Sequence, residues 1–210
     1  MNKTFQDLGI APAFIKALDQ QGITTPTPIQ EEVIPFILNN TNDVVALAKT
    51  GTGKTAAYGL PILQKIQSEK LVVQALILVP TRELGQQVTD ELTKFSSELP
   101  AISIVSTCGG VPIKPQINRL KEGAHVVVAT PGRLIDLLQR KAIVLTEVDF
   151  VVLDEADEMI NILNEGLKII YEHLPKQRRA LLFTATLTGA VKQLVQNYLS
   201  KGSKQIEVAM

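Results

Sequence analysis

Short runs of apolar, mostly β-branched residues alternate along the chain with longer segments in which apolar residues recur at every third or fourth position. The short runs show no regular alternation of polar and apolar side chains, which is typical of strands buried on both faces of a parallel sheet. We therefore predict strands at residues 44–48, 72–79, 102–107, 125–129, 150–153 and 180–184, with a weaker one at 205–208.

The longer segments predict amphipathic helices between these strands. Residues 82–99 carry an apolar stripe at helical spacing, formed by Leu84, Val88, Leu92 and Phe95. Pro100 is expected to end this helix, and similar stripes predict helices at 54–67 and 188–199. Strands linked by helical crossovers predict an α/β fold, a doubly wound and mainly parallel sheet flanked by helices, whose ligands bind at the carboxyl ends of the strands.

The composition fits one domain and leaves nucleic acid open as a ligand. The 210 residues are 45% hydrophobic, enough for a sizeable core, and no linker-like tract divides them. Since 21 basic and 21 acidic residues balance, contacts with nucleic acid would depend on the local placement of cationic groups. One cysteine, Cys108, and no metal-type Cys/His spacing fit a reducing compartment. With neither a secretory signal nor an apolar run of membrane-spanning length, we predict a cytoplasmic protein with no membrane partner.

The stretch AKTGTGKT, residues 48–55, lies between the first predicted strand and a predicted helix. This strand-loop-helix setting directs backbone N–H groups and a helix N-terminus at phosphate. Gly51 and Gly53 allow the backbone to wrap closely. Lys54 can reach the β- and γ-phosphates, and the Thr55 hydroxyl can ligate Mg²⁺. The alternative is a Gly-Lys turn that caps a helix and binds nothing.

Acidic residues follow the predicted strand at 150–153. Asp154 would complete a Mg²⁺ site, and Glu155 is placed to orient or deprotonate an attacking water. The alternative is an acidic N-cap for the next helix, a position that Asp157 could occupy while still serving the site. Together with the phosphate loop, these acids favour hydrolysis of a nucleoside triphosphate.

AKTGTGKT and the later VLDEAD resemble the motifs of the DEAD-box family of ATP-dependent RNA helicases. The general phosphate-loop pattern has glycine where Ala48 stands, but the family's A-x-T-G-x-G-K-T motif has alanine there, so this residue discriminates in favour of helicases. Further family motifs follow in order, namely Phe5 upstream of GITTPTPIQ, PTREL at 80–84, Gly109-Gly110, TPGRL at 130–134 and TAT at 184–186. They correspond to the first of the family's two RecA-like domains.

The resemblance implies that the nucleotide site recognises the adenine base. Residues 1–30 would form the adenine-recognition segment, the Q motif region, and residues 31–210 the RecA-like ATP-binding domain. Gln30 would read the adenine edge together with the Thr25 backbone, and Phe5 would stack on the base. The alternatives are a surface helix position for Gln30 and a hydrophobic plug for Phe5.

The site residues that the resemblance implies fall into three groups. Those for the nucleotide are Phe5, Thr25, Gln30, Ala48, Lys49, Thr50, Gly51, Thr52, Gly53, Lys54 and Thr55. The catalytic residues are Lys54, Asp154 and Glu155. ATP and Mg²⁺ are the implied cofactors, and the metal ligands are Thr55 and Asp154.

The resemblance also implies three segments that hold RNA by its backbone, each placed after a predicted strand. They contribute Pro80, Thr81, Arg82, Gly109, Gly110, Thr130, Gly132 and Arg133. In the family they bind single-stranded RNA in a bent form that a duplex cannot adopt, which separates strands locally. For Arg82 and Arg133 the alternative is a surface salt bridge.

Thr184 and Thr186 would lie near Asp157 and couple the state of the nucleotide to the RNA side. The chain departs from the family pattern at Gly85, where alanine is usual and where glycine is expected to weaken the helix by up to about 1 kcal/mol. It also departs at residues 161–167, where we expect an altered turn after the DEAD helix.

The favoured function is the ATP-binding and catalytic half of an ATP-dependent RNA helicase, which couples ATP binding and hydrolysis to gripping and local unwinding of RNA. The family's second RecA-like domain and its γ-phosphate arginines are not among these residues, so we expect weak activity alone and a second domain as partner, in cis or in trans. Lys176, Arg178 and Arg179 would not replace those arginines, because they precede a strand at its opposite end. The alternative is a nucleotide-dependent module that binds RNA or partners without turnover, and a P-loop kinase lacks an acceptor site or lid.

Overall fold

The computed structural model describes residues 3–208, without the side chains of residues 161–165. The strands are β1 (Val44–Leu47), β2 (Ala75–Leu78), β3 (Ile104–Thr107), β4 (Val126–Ala129), β5 (Phe150–Leu153), β6 (Arg179–Thr184) and β7 (Lys204–Glu207). The helices are α1 (Pro12–Asp19), α2 (Pro28–Asn39), α3 (Lys54–Lys65), α4 (Arg82–Phe95), α5 (Ile113–Glu122), α6 (Pro131–Gln139), α7 (Ala156–Glu172) and α8 (Gly189–Tyr198). Each predicted strand is present, with bounds that differ from the prediction by a few residues.

The strands form one sheet in the order β3-β4-β2-β5-β6-β1-β7, and all of its strand pairs are parallel. This arrangement confirms the predicted doubly wound α/β fold. Because the strands are parallel, the loops that follow them all emerge at one edge of the sheet, which we call the carboxyl edge. The candidate site residues after different strands therefore lie along the same edge.

Helices cover both faces of the sheet and divide the core into two clusters. Helices α1 to α4 pack on one face, and α6 to α8 pack on the other. Neighbouring residues of a central strand serve opposite clusters, as Ile77 and Leu76 do in β2, and both are fully buried. This burial on both sides explains why the strand sequences show no polar alternation. In the part of the chain that the structure describes, we find no helix with the length and apolar character to cross a bilayer.

Strand β2 begins later than predicted because Gln74 closes a loop before it. The side-chain amide of Gln74 accepts from the Gln67 nitrogen and donates to the oxygens of Gln67 and Lys70, each at 2.9 Å. These bonds hold the backbone in a turn up to Gln74. Val72 therefore lies outside the sheet, and its side chain is 39% exposed. The prediction of a strand from residue 72 is therefore wrong at its start.

Helix α4 ends at Phe95, so the prediction that Pro100 ends it is wrong. Ser96 occupies the C-cap, and its hydroxyl donates to the Leu92 oxygen at 3.0 Å. The backbone leaves the helical conformation at Ser96, where φ is −96° and ψ is 14°. The helix thus stops before the proline is reached.

The turn expected at residues 161–167 is also absent, because α7 continues through this segment to Glu172. The side chains of residues 161–165 lie outside the described part of the chain. Gly166 is buried against α6, where a Cβ atom would lie 2.9 Å from Cδ1 of Ile135. The small residue therefore allows a close approach of α6 and α7, and this packing offsets the low helix propensity of glycine.

Gly85 has a packing role that the sequence comparison missed. An added Cβ atom would lie 2.3 Å from Sγ of Cys108 and 3.3 Å from Cγ2 of Val79. The cost of glycine to helix propensity stays a prediction, and the structure adds that alanine at this position would collide with the buried cysteine next to it.

Candidate active site

The phosphate-binding loop leaves β1 at the carboxyl edge and ends at the N-terminus of α3. The Ala48 nitrogen donates to the Thr184 oxygen at 3.0 Å, which extends the pairing of β1 with β6. Gly51 and Gly53 have φ angles of 82° and 86°, a left-handed conformation that glycine adopts without strain. The Thr52 hydroxyl donates to the Lys49 oxygen at 2.7 Å and closes the turn. The loop therefore presents the N-terminus of α3 to the solvent edge, as an anion site requires.

Gln30 connects the adenine-recognition segment to this loop. Its Oε1 atom accepts from the Thr27 nitrogen and its Nε2 atom donates to the Gly53 oxygen, both at 3.0 Å. The side chain is 3% exposed, so the alternative of a surface helix position is wrong. An amide oxygen can accept two hydrogen bonds and an amide nitrogen can donate two, so each atom retains one for a ligand. Thr25, in the loop before α2, is exposed.

Phe5 is 3% exposed and belongs to the hydrophobic cluster on the α1 to α4 face of the sheet. Its ring occupies the buried position that the plug hypothesis predicts. The stacking of this ring on adenine stays a prediction, because in this structure its faces are covered by the core.

Charged groups from α3 and from the end of β5 meet beneath the loop. Lys54 Nζ lies 2.7 Å from Oε1 of Glu155 and 3.9 Å from Oδ1 of Asp154. The Thr50 hydroxyl donates to the same Glu155 oxygen at 2.9 Å. Lys54, Asp154 and Glu155 are 6%, 2% and 5% exposed, so their charges interact with little screening by water. The predicted catalytic residues therefore form one buried cluster.

The alternative that an acidic side chain caps the next helix is wrong for Glu155. Glu155 occupies the N-cap position of α7, but its carboxylate makes no capping hydrogen bond. The Glu155 backbone has a φ of 53°, which is uncommon for a residue other than glycine. This left-handed turn directs the Glu155 side chain to Lys54 and Thr50 instead of to the helix N-terminus.

Asp154 is held by a tyrosine from the core. The Tyr58 hydroxyl donates to Oδ2 at 2.9 Å, and the Glu155 nitrogen donates to Oδ1 at 3.0 Å. Burial raises the pKa of Asp154 to about 6, although Lys54 and Tyr58 oppose this increase. Burial and the neighbouring Asp154 charge also raise the pKa of Tyr58, so the phenol keeps its proton and acts as the donor.

The oxygen atoms at this position suit Mg²⁺. The Asp154 carboxylate and the hydroxyl of the half-buried Thr55 are hard ligands of the kind that this ion prefers. Within residues 3–208, no cluster of three or more His, Cys, Asp or Glu side chains could hold a metal alone. Mg²⁺ needs no such cluster, because it is usually bound by one or two carboxylates with substrate phosphates and water. The residues present therefore fit the ion.

Asp157 and the threonines after β6 come together as predicted. Oδ2 of Asp157 accepts from the Thr186 nitrogen at 3.1 Å and from its hydroxyl at 2.8 Å, and the Thr184 hydroxyl donates to the Thr186 oxygen at 2.9 Å. Burial raises the pKa of Asp157, but the hydrogen bonds from Thr186 oppose this effect, and the net shift of the pKa is downward. The loop after β6 is therefore tied to α7. Its role in coupling stays a prediction.

The proposed RNA segments meet where β2, β3 and β4 end. Arg82 Nη1 donates to the Gly110 oxygen at 3.3 Å, and the Gly109 nitrogen donates to the Thr130 hydroxyl at 3.0 Å. Arg133 Nη2 donates to the Val111 oxygen at 2.8 Å. These contacts join the segments into one surface, which we call the arginine surface.

The remaining residues of this surface lie at the starts of α4 and α6. The Thr81 hydroxyl caps α4 by accepting from the Leu84 nitrogen at 3.2 Å. Pro80 is half-buried before that helix, and Gly132 is exposed in the first turn of α6. Among the described residues, neither Arg82 nor Arg133 forms an ion pair, so the salt-bridge alternative is wrong for this part of the chain.

Gln116 is a residue of this surface that the sequence reasoning missed. It is 8% exposed on α5, accepts from Arg133 Nη1 at 2.7 Å and donates to the Cys108 oxygen at 2.9 Å. The signal was a polar residue within the apolar stripe that Ile113, Ile117 and Leu120 form on α5. Tyr58 was also missed, since a tyrosine in the apolar stripe of α3 reads as a core residue.

The chain is similar to known proteins over nearly its whole length. The family model "DEAD/DEAH box helicase" matches residues 27–194. A DEAD-box ATP-dependent RNA helicase CshA from Streptococcus pneumoniae is 41% identical over 206 residues, which cover 98% of this chain and 39% of that protein. The CshA of Geobacillus kaustophilus is 42% identical over 199 residues, 94% of this chain and 42% of its own length. The chain thus spans about two fifths of these relatives.

Solved structures show the same architecture. A DEAD box protein from the hyperthermophile Methanococcus jannaschii superimposes with a TM-score of 0.92 at 35% identity, over 100% of this chain and 57% of that one. A Saccharomyces cerevisiae dbp5 variant, determined in a complex with gle1 and ip6, gives a TM-score of 0.87 at 31% identity, over 100% of this chain and 53% of that one.

Proposed function

This chain belongs to the DEAD/DEAH box helicase family, and we propose that it is the ATP-binding and catalytic half of an ATP-dependent RNA helicase. The observation that carries the proposal is the buried cluster of Lys54, Asp154 and Glu155 at the same carboxyl edge as the arginine surface. The proposed site for a nucleoside triphosphate and the proposed site for a sugar-phosphate backbone thus lie at the same edge of one sheet.

ATP would bind where Lys54 now contacts Glu155. Its phosphates offer the ammonium group a more highly charged partner, and the N-terminus of α3 adds backbone donors. Glu155, separated from Lys54, is then able to accept a proton from the attacking water. Thr55 and Asp154 would hold Mg²⁺, which neutralises charge on the phosphates. Gln30 and the Thr25 backbone would select adenine through the remaining amide donor and acceptor.

RNA would bind along the arginine surface by its backbone. Arg82 and Arg133 are oriented by carbonyl and amide oxygens instead of carboxylates, so their charges remain available for phosphate. Thr81, Thr130 and the exposed glycines of the same segments supply hydroxyl and N–H donors. We propose that gripping one strand in a bent form opens a duplex locally, and that Asp157 with Thr184 and Thr186 couples this grip to the nucleotide.

We propose that full activity needs the family's second RecA-like domain, in cis or in trans. An arginine that reaches the γ-phosphate contributes about 10³–10⁵ in rate in related phosphoryl-transfer enzymes. Arg179 is not placed to act so, because its guanidinium donates to the oxygens of Ile37 and Asn42 at the opposite end of β6. The free thiol of Cys108 fits the cytoplasmic location that we propose.

The test is ATP hydrolysis by the 210-residue chain, with and without single-stranded RNA, and again after adding the second domain of a relative. We expect slow turnover alone and a large increase when RNA and the second domain are both present. The control pair is Lys54→Ala, which should abolish nucleotide binding, and Lys65→Ala, at the exposed end of the same helix, which should not. Binding of ATP and RNA without turnover in any combination would instead support a nucleotide-dependent binding module.

A further inference from the structure

Tyr58 lies on α3 one turn after Lys54 and is fully buried. Its ring packs against Phe183 of β6 with the ring centroids 5.1 Å apart, so the ring is fixed by the core. A buried tyrosine hydroxyl needs a hydrogen-bond partner, and a backbone carbonyl would satisfy it. In this chain the partner is instead Oδ2 of Asp154, at 2.9 Å.

This bond determines how the Asp154 carboxylate is oriented. Oδ1 accepts from the Glu155 nitrogen at 3.0 Å and lies 3.9 Å from Lys54 Nζ, so that side of the carboxylate faces the phosphate loop. Oδ2 is held by Tyr58 from within the core. The terminal torsion of an aspartate has a broad energy minimum, so anchoring a single oxygen would leave the carboxylate free to rotate. Two anchors, one on each oxygen, fix the plane of the carboxylate and leave each oxygen with a further lone pair for a ligand.

We propose that Tyr58 is a positioning residue that orients Asp154 for Mg²⁺. The inference rests on the proposed function, because that function assigns the ion to Asp154. Hydrogen bonds from outside the ligand shell orient metal ligands, and their loss typically lowers metal affinity or activity by about 10–100-fold. Tyr58 contributes such a bond from a ring that is packed too tightly to swing aside.

The test uses Tyr58→Phe in the 210-residue chain, since phenylalanine keeps the ring and removes only the hydroxyl. Mn²⁺ replaces Mg²⁺ as a paramagnetic probe, and electron paramagnetic resonance measures free Mn²⁺ with the protein in excess over ADP, so that nearly all the nucleotide is bound, after subtraction of the binding by ADP alone. We expect Tyr58→Phe to bind Mn²⁺ about tenfold more weakly. Its affinity for ADP in excess EDTA should equal that of the wild type.

Tyr171→Phe is the matched control, because this tyrosine packs against Tyr198 away from Asp154. It should leave the affinity for Mn²⁺ unchanged. If Tyr58→Phe lowers only the unfolding temperature and binds Mn²⁺ like the wild type, Tyr58 is a core residue and the inference is wrong. If the wild type itself binds no Mn²⁺ in the presence of ADP, the proposed function fails as well, so the two failures give different results.

Discussion

The two halves of the carboxyl edge differ in whether their charged side chains are paired with each other. The nucleotide half, formed by the loops after β1, β5 and β6, buries its charges and pairs them with each other, as in the 2.7 Å contact of Lys54 and Glu155. On the arginine surface, after β2, β3 and β4, the hydrogen bonds of Arg82 and Arg133 to other described residues all go to neutral oxygens. A ligand of the nucleotide half must therefore replace an internal partner, whereas a ligand of the arginine surface meets cations that are already oriented and uncompensated.

Removing the ammonium group of Lys54 should have the largest effect on stability, and it tests whether the nucleotide half depends on its internal pairing. Lys54→Ala leaves Asp154 and Glu155 buried without a cation, and removing one partner of a buried ion pair costs about 3–5 kcal/mol. We expect the free energy of unfolding in urea at neutral pH to fall by that amount. Lys65→Ala, an exposed change on the same helix, should alter it by less than about 0.5 kcal/mol. Equal stability of the two variants would show that the nucleotide half does not depend on its internal pairing.

The free energy of unfolding should depend on pH because the buried carboxyl group of Asp154 titrates with a raised pKa. Burial raises the pKa of this residue from 3.8 to about 6, against the opposing effects of Lys54 and Tyr58. The native state therefore binds more protons than the unfolded state between these values, so stability falls as pH rises through this window, by about 3 kcal/mol at most.

Asp154→Asn removes this titration. In EDTA, the unfolding free energy of the wild type minus that of Asp154→Asn should decrease between about pH 4 and pH 6 and then remain constant. Urea denaturation of both proteins across this range measures it. Parallel curves would contradict the assignment of the shift to Asp154.

The arginine surface should respond in ligand binding. Arg133→Ala would remove the proposed charge-assisted contact with phosphate, which would contribute about 1.5–3 kcal/mol, so we expect single-stranded RNA to bind at least about tenfold more weakly. Fluorescence anisotropy with labelled RNA and a non-hydrolysable ATP analogue measures this affinity. Arg140→Ala, at the exposed end of the same helix, is the control and should have little effect. An equal loss in both variants would mean that the RNA does not use the arginine surface.

The smallest effect that we predict is at Gly85, behind the arginine surface. Gly85→Ala should lower the free energy of unfolding by about 1–2 kcal/mol, because the new methyl group meets Cys108 Sγ. In a double-mutant cycle, Cys108→Ala should restore most of this loss, since it removes the colliding atom. Stabilisation by Gly85→Ala alone would favour the helix-propensity argument over packing.

The fold and the contents of the site could be predicted because both depend on local patterns. Uniform apolar runs indicate buried strands. The residues that follow the carboxyl ends of these strands must lie at one edge of a parallel sheet. Lys54 and Asp154 could therefore be placed together although they lie in separate crossover units of the fold. The end of α4 was not predicted, because the backbone leaves the helix at Ser96, before the proline that usually marks such an end.

The orientation of the site could not be predicted, since it depends on contacts between distant segments. Tyr58 and Asp154 are separated by 96 positions, and no periodicity shows which core residue turns its hydroxyl to a carboxylate. The same limit applies to Gly85 and Cys108, which meet only when α4 packs beside β3. Gln116, although missed, could have been found from the sequence, because a polar side chain in an apolar stripe indicates a buried amide that needs hydrogen-bond partners.

The close approach at Gly166 has a mechanical consequence. Helix α7 starts at the acidic residues of the nucleotide half, and α6 starts at the segment that carries Arg133. Ile135 Cδ1 lies only 2.9 Å from where a Cβ atom of residue 166 would be, so the two helices pack closely at this point. This contact offers a packed route by which strain at the acidic residues of the nucleotide half can reach the helix that carries Arg133.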